Sequence, residues 1–209
     1  MMQHPKPVWI LTTGRSGSNY LSAMLNNTGL FSFTECMHEN NGPFRFIGCI
    51  NCKALRRQFI RSLHDGARDE INLSLPGIKY ILLNRKDIKS KAISHYFAHI
   101  TGVWKVHQGE LEDYFKLPIY LDKDLLKACY DEELSYLNCW DNYLRDTPHF
   151  RVEYEDMINN PVETIIKIFD YIEIKITPEE AQAAVDKCDG VVMTRPEFQE
   201  YLEELEKLI

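Results

Sequence analysis

The chain has 209 residues, 44% of them hydrophobic and 26% charged, with a formal net charge of −7. This composition fits a soluble globular protein with a sizeable core, read as one domain over residues 1–209. The acidic balance argues against broad nucleic-acid binding, and no apolar stretch approaches the roughly 20 residues of a membrane span.

The opening MMQHPKPVWILTTG runs directly into a first strand and leaves no room for a signal peptide, so a cytoplasmic location is expected. Val8 to Leu11 is a short β-compatible run, followed by the loop Thr12-Thr13-Gly14-Arg15-Ser16-Gly17-Ser18. Leu21, Met24, Leu25 and Thr28 then fall on one helical face. Strand, glycine loop and helix start in that order make an anion site, because unpaired amides and the positive helix end converge there. Arg15 adds a fixed cation suited to phosphate or sulfate oxygens.

A polar loop is expected over about 29–44, holding Glu35, His38 and Glu39. Phe44 to Ile50 reads as a short strand and Ala54 to Leu63 as a helix. Cys36, His38, Cys49 and Cys52 could supply four zinc ligands, but C-x-H is poor spacing and FRFIGCIN reads as a buried strand. The six cysteines are therefore read as reduced, small hydrophobes, and no metal is expected.

Leu75-Pro76-Gly77 is a turn, and Ile78 to Leu83 is the strongest strand signal. Ile88 to Ile100 follows as a helix with Ala92, Ile93, Tyr96, Phe97 and Ile100 on one face. A long helix over about 122–145 carries Leu126, Tyr130, Leu134, Leu137 and Leu144 at helical spacing. Phe150 to Glu153 is another strand, and Asn160-Pro161-Val162-Glu163 reads as an N-cap, first-turn proline and capping-box glutamate opening a helix to Tyr171. Pro178 and Pro196 begin two terminal helices. Strands alternating with helices predict an α/β, three-layer P-loop-like fold with a central parallel sheet flanked by helices. Ligands of such sheets bind beyond the carboxyl ends of the strands. That rule puts the 12–18 loop and Asn84-Arg85-Lys86-Asp87 on the same edge.

A nucleoside triphosphatase would carry G-x-x-x-x-G-K-[ST] and an acidic residue at a neighbouring strand end for magnesium. Here Ser18-Asn19 follows Gly17, and the strong strand ends in Asn84-Arg85. The pattern favours an anion held directly by arginine. A nucleotide kinase or hydrolase with a degenerate phosphate loop, and a non-catalytic nucleotide-binding homologue, remain the competing readings.

Arg15-Ser16-Gly17-Ser18, Pro76-Gly77, Arg85-Lys86-Asp87, Ala92-Ile93-Ser94, Thr101-Gly102-Val103-Trp104 and Tyr154-Glu155-Asp156 with Pro161 occur in order over about residues 8–172. Together they resemble the sulfotransferases that use 3′-phosphoadenosine 5′-phosphosulfate (PAPS), most closely the bacterial trehalose sulfotransferase-like branch. The resemblance implies PAPS as donor and 3′,5′-ADP (PAP) as product. It also implies a small hydroxyl acceptor, with a sugar as one candidate, and a homodimer. It places Arg15, Ser16, Gly17, Ser18 and Asn19 at the phosphosulfate, with Arg15 stabilising the leaving phosphate, and Arg85 and Ser94 at the 3′-phosphate. Glu35 is the implied base, with Glu39 and His38 as neighbours that could take its place. The chain departs from animal cytosolic sulfotransferases, which carry a lysine where Arg15 stands and a catalytic histidine. The strand containing Gly48 also lacks an expected following lysine. His99 and His107 are further acid–base candidates, and Trp104 could face a sugar ring.

Overall fold

Strand β1 (Val8–Thr12) is buried along its whole length, as a strand covered on both faces must be. A computed structural model describes residues 8–30, 33–37, 45–49, 79–104, 110–136, 141–142, 144–188 and 195–209. β2 (Phe33–Met37) and β3 (Arg45–Cys49) precede β4 (Lys79–Asn84) and β5 (His149–Glu153), and the sheet order is β2-β3-β1-β4-β5. β1, β4 and β5 are parallel, with Thr12 opposite Leu83 and Leu83 opposite Val152. Their carboxyl ends therefore finish at one edge. The expected parallel centre is present, and β3 adds to it as an antiparallel neighbour of β1 that also pairs antiparallel with β2.

The hairpin corrects one expectation. Glu35 lies in a strand, opposite Ile47, where a polar loop was expected. The strand Phe33-Thr34-Glu35-Cys36-Met37 has no clean apolar alternation, so its pairing with β3 is what makes it a strand. Its ladder slips by one residue between Glu35 and Met37, a bulge that kinks the strand locally.

Helices flank the sheet. On one face Val8, Ile10, Ile81, Leu83 and Val152 pack with Leu21, Met24 and Leu25 of α1 (Ser18–Asn27). The same cluster takes in Ile165, Ile168 and Phe169 of α6 (Pro161–Tyr171) and Ala181 and Ala184 of α7 (Pro178–Asp186). The alternate strand positions Trp9, Leu11, Tyr80 and Leu82 are buried as well. A second cluster joins Ala92, Ile93, Tyr96 and Phe97 of α2 (Ile88–Thr101) to Leu126 and Cys129 of α4 (Lys123–Ser135) and to Tyr201 and Leu205 of α8 (Phe198–Leu208). Two short helices, α3 (Leu111–Lys116) and α5 (Tyr154–Asn159), complete the described helices. The carbonyls of Tyr114, Phe115 and Leu117 at the end of α3 all accept from the buried Arg195 guanidinium. Among the described residues no helix is long and apolar enough to cross a membrane.

Two helix expectations are corrected. α4 ends at Ser135, and its buried face is Leu126, Cys129 and Glu133, while Leu134 is exposed. The face turns toward Glu133 because that carboxylate meets Lys91 of α2 at 2.6 Å. Asn160 opens α6 without a side-chain cap bond, since it also closes α5; the capping box is at α7, between Thr177 and Glu180. The expected helix 54–63 lies outside the described residues.

Lys91 and Glu133 are each only 2% exposed, so neither charge is tolerable alone. Burial pushes the Glu133 carboxyl up, but His95 and Lys91 outweigh it and hold the group below its ordinary 4.5. Its contribution to stability is therefore present above pH 4.5 and is lost as pH falls through the lower folded value. Glu133→Gln strands the ammonium and is expected to cost about 3–5 kcal/mol in a denaturant titration at pH 7. The double change Lys91→Met, Glu133→Leu should recover most of that loss.

Candidate active site at the carboxyl edge of the sheet

Beyond Thr12 the chain curls through two left-handed positions, Arg15 (φ 59°) and Gly17 (φ 84°). A side-chain-bearing residue there costs of order 1–3 kcal/mol and persists only where its surroundings fix it. Arg15 is fixed. Its Nε and Nη2 donate to Ser94 Oγ at 3.0 and 2.8 Å, and Nη1 donates to the Trp104 carbonyl at 2.6 Å. Gly17 caps α1, and a Cβ at that position would lie 2.5 Å from Tyr154 Cδ2. Only glycine satisfies both the backbone and that close approach. Ser16 is fully buried, with its hydroxyl 3.3 Å from Thr13 Oγ1, which also accepts from Lys91 Nζ. Ser18 and Asn19 begin α1, where first-turn amides have no intrahelical acceptor and point toward the loop.

Arg85 follows β4 and reaches the same place. Its Nη1 donates to the Arg15 carbonyl at 3.3 Å, its guanidinium lies 4.5 Å from the Tyr154 ring centre, and its buried Nε has no hydrogen-bond partner among the described residues. A surface salt bridge to Asp87 was the ordinary alternative for this arginine. Asp87 instead caps α2, accepting from the Ser90 amide at 2.9 Å and from the Ser90 hydroxyl. An unmatched buried donor on a cation is costly without an acceptor. Among the described residues none supplies one.

The Tyr154-Glu155-Asp156 motif acquires roles that the sequence did not disclose. Tyr154 wedges between Gly17 and Arg85. Glu155 Oε1 accepts from the Lys86 and Asp87 amides at 3.1 and 3.2 Å and so holds the turn that presents Arg85. Glu153, at the end of β5, accepts from Asn84 at 3.1 Å and lies 3.5 Å from Arg151 and 4.0 Å from Lys86. The carboxylate at that strand end is already matched by amide and cations.

The structure thus brings Arg15, Ser16, Gly17, Ser18, Asn19, Arg85 and Ser94 to one edge. Arg15 and Ser94, expected at opposite ends of the nucleotide, touch. Glu35 is set back, in register with Ile47 and through it with Ile10, two positions short of the end of β1. It does not fold over the edge as expected, although β2 runs toward it. His38, Glu39, Cys52 and His107 lie outside the described residues. Cys49 pairs with Phe33, three positions along the strand from Cys36, about 10 Å away, which argues against shared metal ligation.

Two groups near the site escaped sequence reasoning, Lys91 and Glu133, because a helical lysine and glutamate ordinarily face solvent. His95, a third, lies 3.0 Å from Glu133 Oε1 through Nδ1, and its Nε2 faces His99 Nε2 at 3.1 Å. Burial, then the neighbouring His95, holds the His99 imidazole below its ordinary range. The Trp104 ring packs against both imidazoles, with centroids 5.7 and 5.1 Å away. Cys129 is a free, buried thiol, and burial pushes it up to about 12.

No curated protein matches the chain. A family model described as Sulfotransferase domain matches residues 5–207 and so takes in both basic segments, the serine that accepts from Arg15 and the tyrosine that packs against Arg85. On that extent of agreement the chain belongs to the sulfotransferase domain family, with its P-loop-like α/β fold and its sulfuryl-transfer chemistry.

Proposed function

We propose that this chain moves a sulfuryl group from PAPS to a hydroxyl of a small acceptor, with a carbohydrate as the leading candidate, and releases 3′,5′-ADP. The observation that carries the reading is the buried Nε of Arg85 beside the glycine loop, without a partner among the described residues. A nucleotide with a second phosphate would supply the missing acceptor. Arg85 and Ser94 are assigned to the 3′-phosphate, and residues 15–19 to the phosphosulfate. A cytoplasmic location belongs to the same reading, in keeping with the free thiol of Cys129.

The donor supplies the activated group. The chain's task is placement and charge stabilisation, as in phosphoryl transfer. Arg15 hydrogen-bonds to Ser94 and the Trp104 carbonyl, so its guanidinium is held in position before any ligand arrives. Its charge is permanent and cannot serve as a proton donor; it stabilises negative charge on the leaving phosphate. A carboxylate is needed to take the acceptor's hydroxyl proton, and Glu35, on a strand that runs toward the edge, is assigned to it.

Three outcomes test this reading. In calorimetric titrations 3′,5′-ADP should bind the wild type far more tightly than 5′-AMP, and Arg85→Ala should erase most of the gap. A charge-assisted contact of this kind is worth about 1.5–3 kcal/mol; equal affinities in the wild type would remove the 3′-phosphate site. Glu35→Gln should leave 3′,5′-ADP affinity within a few-fold while turnover falls at least ~10²-fold, the usual scale for a general base. Unchanged turnover would move the role to Glu39 or His38. Transfer should also proceed without added magnesium, because Glu153 is already matched by Asn84, Arg151 and Lys86. Binding of ATP that depends on magnesium would favour the kinase alternative.

A further inference from the structure

We propose that His95, His99 and Cys129 form a binding site for one zinc ion, outside the sulfuryl-transfer site. His95 and His99 are four residues apart on α2 and share one face. Cys129 approaches from α4, and the three candidate ligand atoms all lie within 4.8 Å of one another. Zinc bonds of about 2.0–2.1 Å to nitrogen and 2.3 Å to sulfur place tetrahedral ligand atoms roughly 3.3–3.6 Å apart. The imidazole nitrogens, at 3.1 Å, are almost at that spacing, so a small side-chain adjustment of Cys129 closes the set.

A second observation is independent of the cluster. Glu133 Oε1 lies 3.0 Å from His95 Nδ1, behind the ring, while Nε2 on its other side faces His99 Nε2 in the cluster. A carboxylate behind a ligating histidine is the usual outer partner at zinc sites, where it fixes the tautomer and raises ligand basicity. Trp104 packs against both rings, while the exposed side of His99 leaves a way in for the ion. Two imidazoles and a thiolate suit zinc better than the hard cations magnesium or calcium. On binding, the thiol proton of Cys129 passes to solvent, His99 keeps its proton on Nδ1, and water takes the fourth position. The ion would cross-link α2 to α4 next to the Lys91–Glu133 pair.

The test uses the full chain, stripped with a chelator and then titrated with zinc against a chromophoric competitor, with cobalt(II) as a spectroscopic probe. One equivalent should bind, and the cobalt form should show a thiolate charge-transfer band. His99→Ala, a change at the exposed rim, should weaken zinc binding by at least ~10-fold, and Cys129→Ser should abolish the band. Cys49→Ser with Cys52→Ser should leave both intact. If Cys129→Ser fails to fold, His99→Ala decides alone. Failure of the wild type to bind zinc would overturn the proposal and leave a hydrogen-bonded histidine pair. Binding that survives His99→Ala but is lost with Cys49 and Cys52 would overturn it equally.

Discussion

The ammonium of Lys91 sits where water does not reach, and its neighbours must therefore be arranged around it. Glu133 supplies the opposite charge from α4, and Thr13 supplies a hydroxyl from the loop after β1. A buried ion keeps its charge only with partners of this kind. The three segments must accordingly come together as a unit. Once they do, the glycine loop stands at a set height above α2, and Ser94 on that helix faces Arg15. The unusual backbone of Arg15 is then supported from three sides. The loop that carries Arg15 is anchored on a charge pair buried beneath it.

A second consequence is electrostatic. The chain carries a net charge of −7, yet its described sheet edge presents two guanidinium groups within hydrogen-bonding reach of one loop. Charge of one sign gathered at one edge raises the local potential there despite an acidic whole. The arginines avoid spreading apart because each is braced by something neutral. Arg15 has a hydroxyl and a carbonyl, and Arg85 has a carbonyl and the face of Tyr154.

What the sequence disclosed divides along a physical line. Short-range signals were legible. The run Val8 to Leu11, the spacing of Leu21, Met24 and Leu25, and the apolar strand before Arg85 each carried their own period, and each became the expected element. That Arg15 and Arg85 would meet at one edge was legible because parallel strands finish together there. Features that depend on a distant partner were not legible. Glu35 falls in a strand because β3 pairs with it. Glu133 is inside because Lys91 is, and neither residue alone predicts the other. Asn160 also ends the preceding helix, with φ at −137°, and its side chain accepts no cap bond. Tyr154 belonged to a motif, but its service as a spacer between Gly17 and Arg85 required the sheet to be closed first.

The contact between Gly17 and Tyr154 has a bearing on when the protein becomes competent during synthesis. The two residues are separated by most of the chain, and the loop's final curvature is defined against the tyrosine ring. A ribosome-bound fragment ending before β5 would hold a glycine loop with nothing behind it. It would also lack the surface on which Arg85 rests. Long-range closure of this type is slow, since chain entropy is lost before any contact compensates for it. The final form of the loop is thus a late event in the life of the nascent chain, and a truncated product carries the motif without its backing ring.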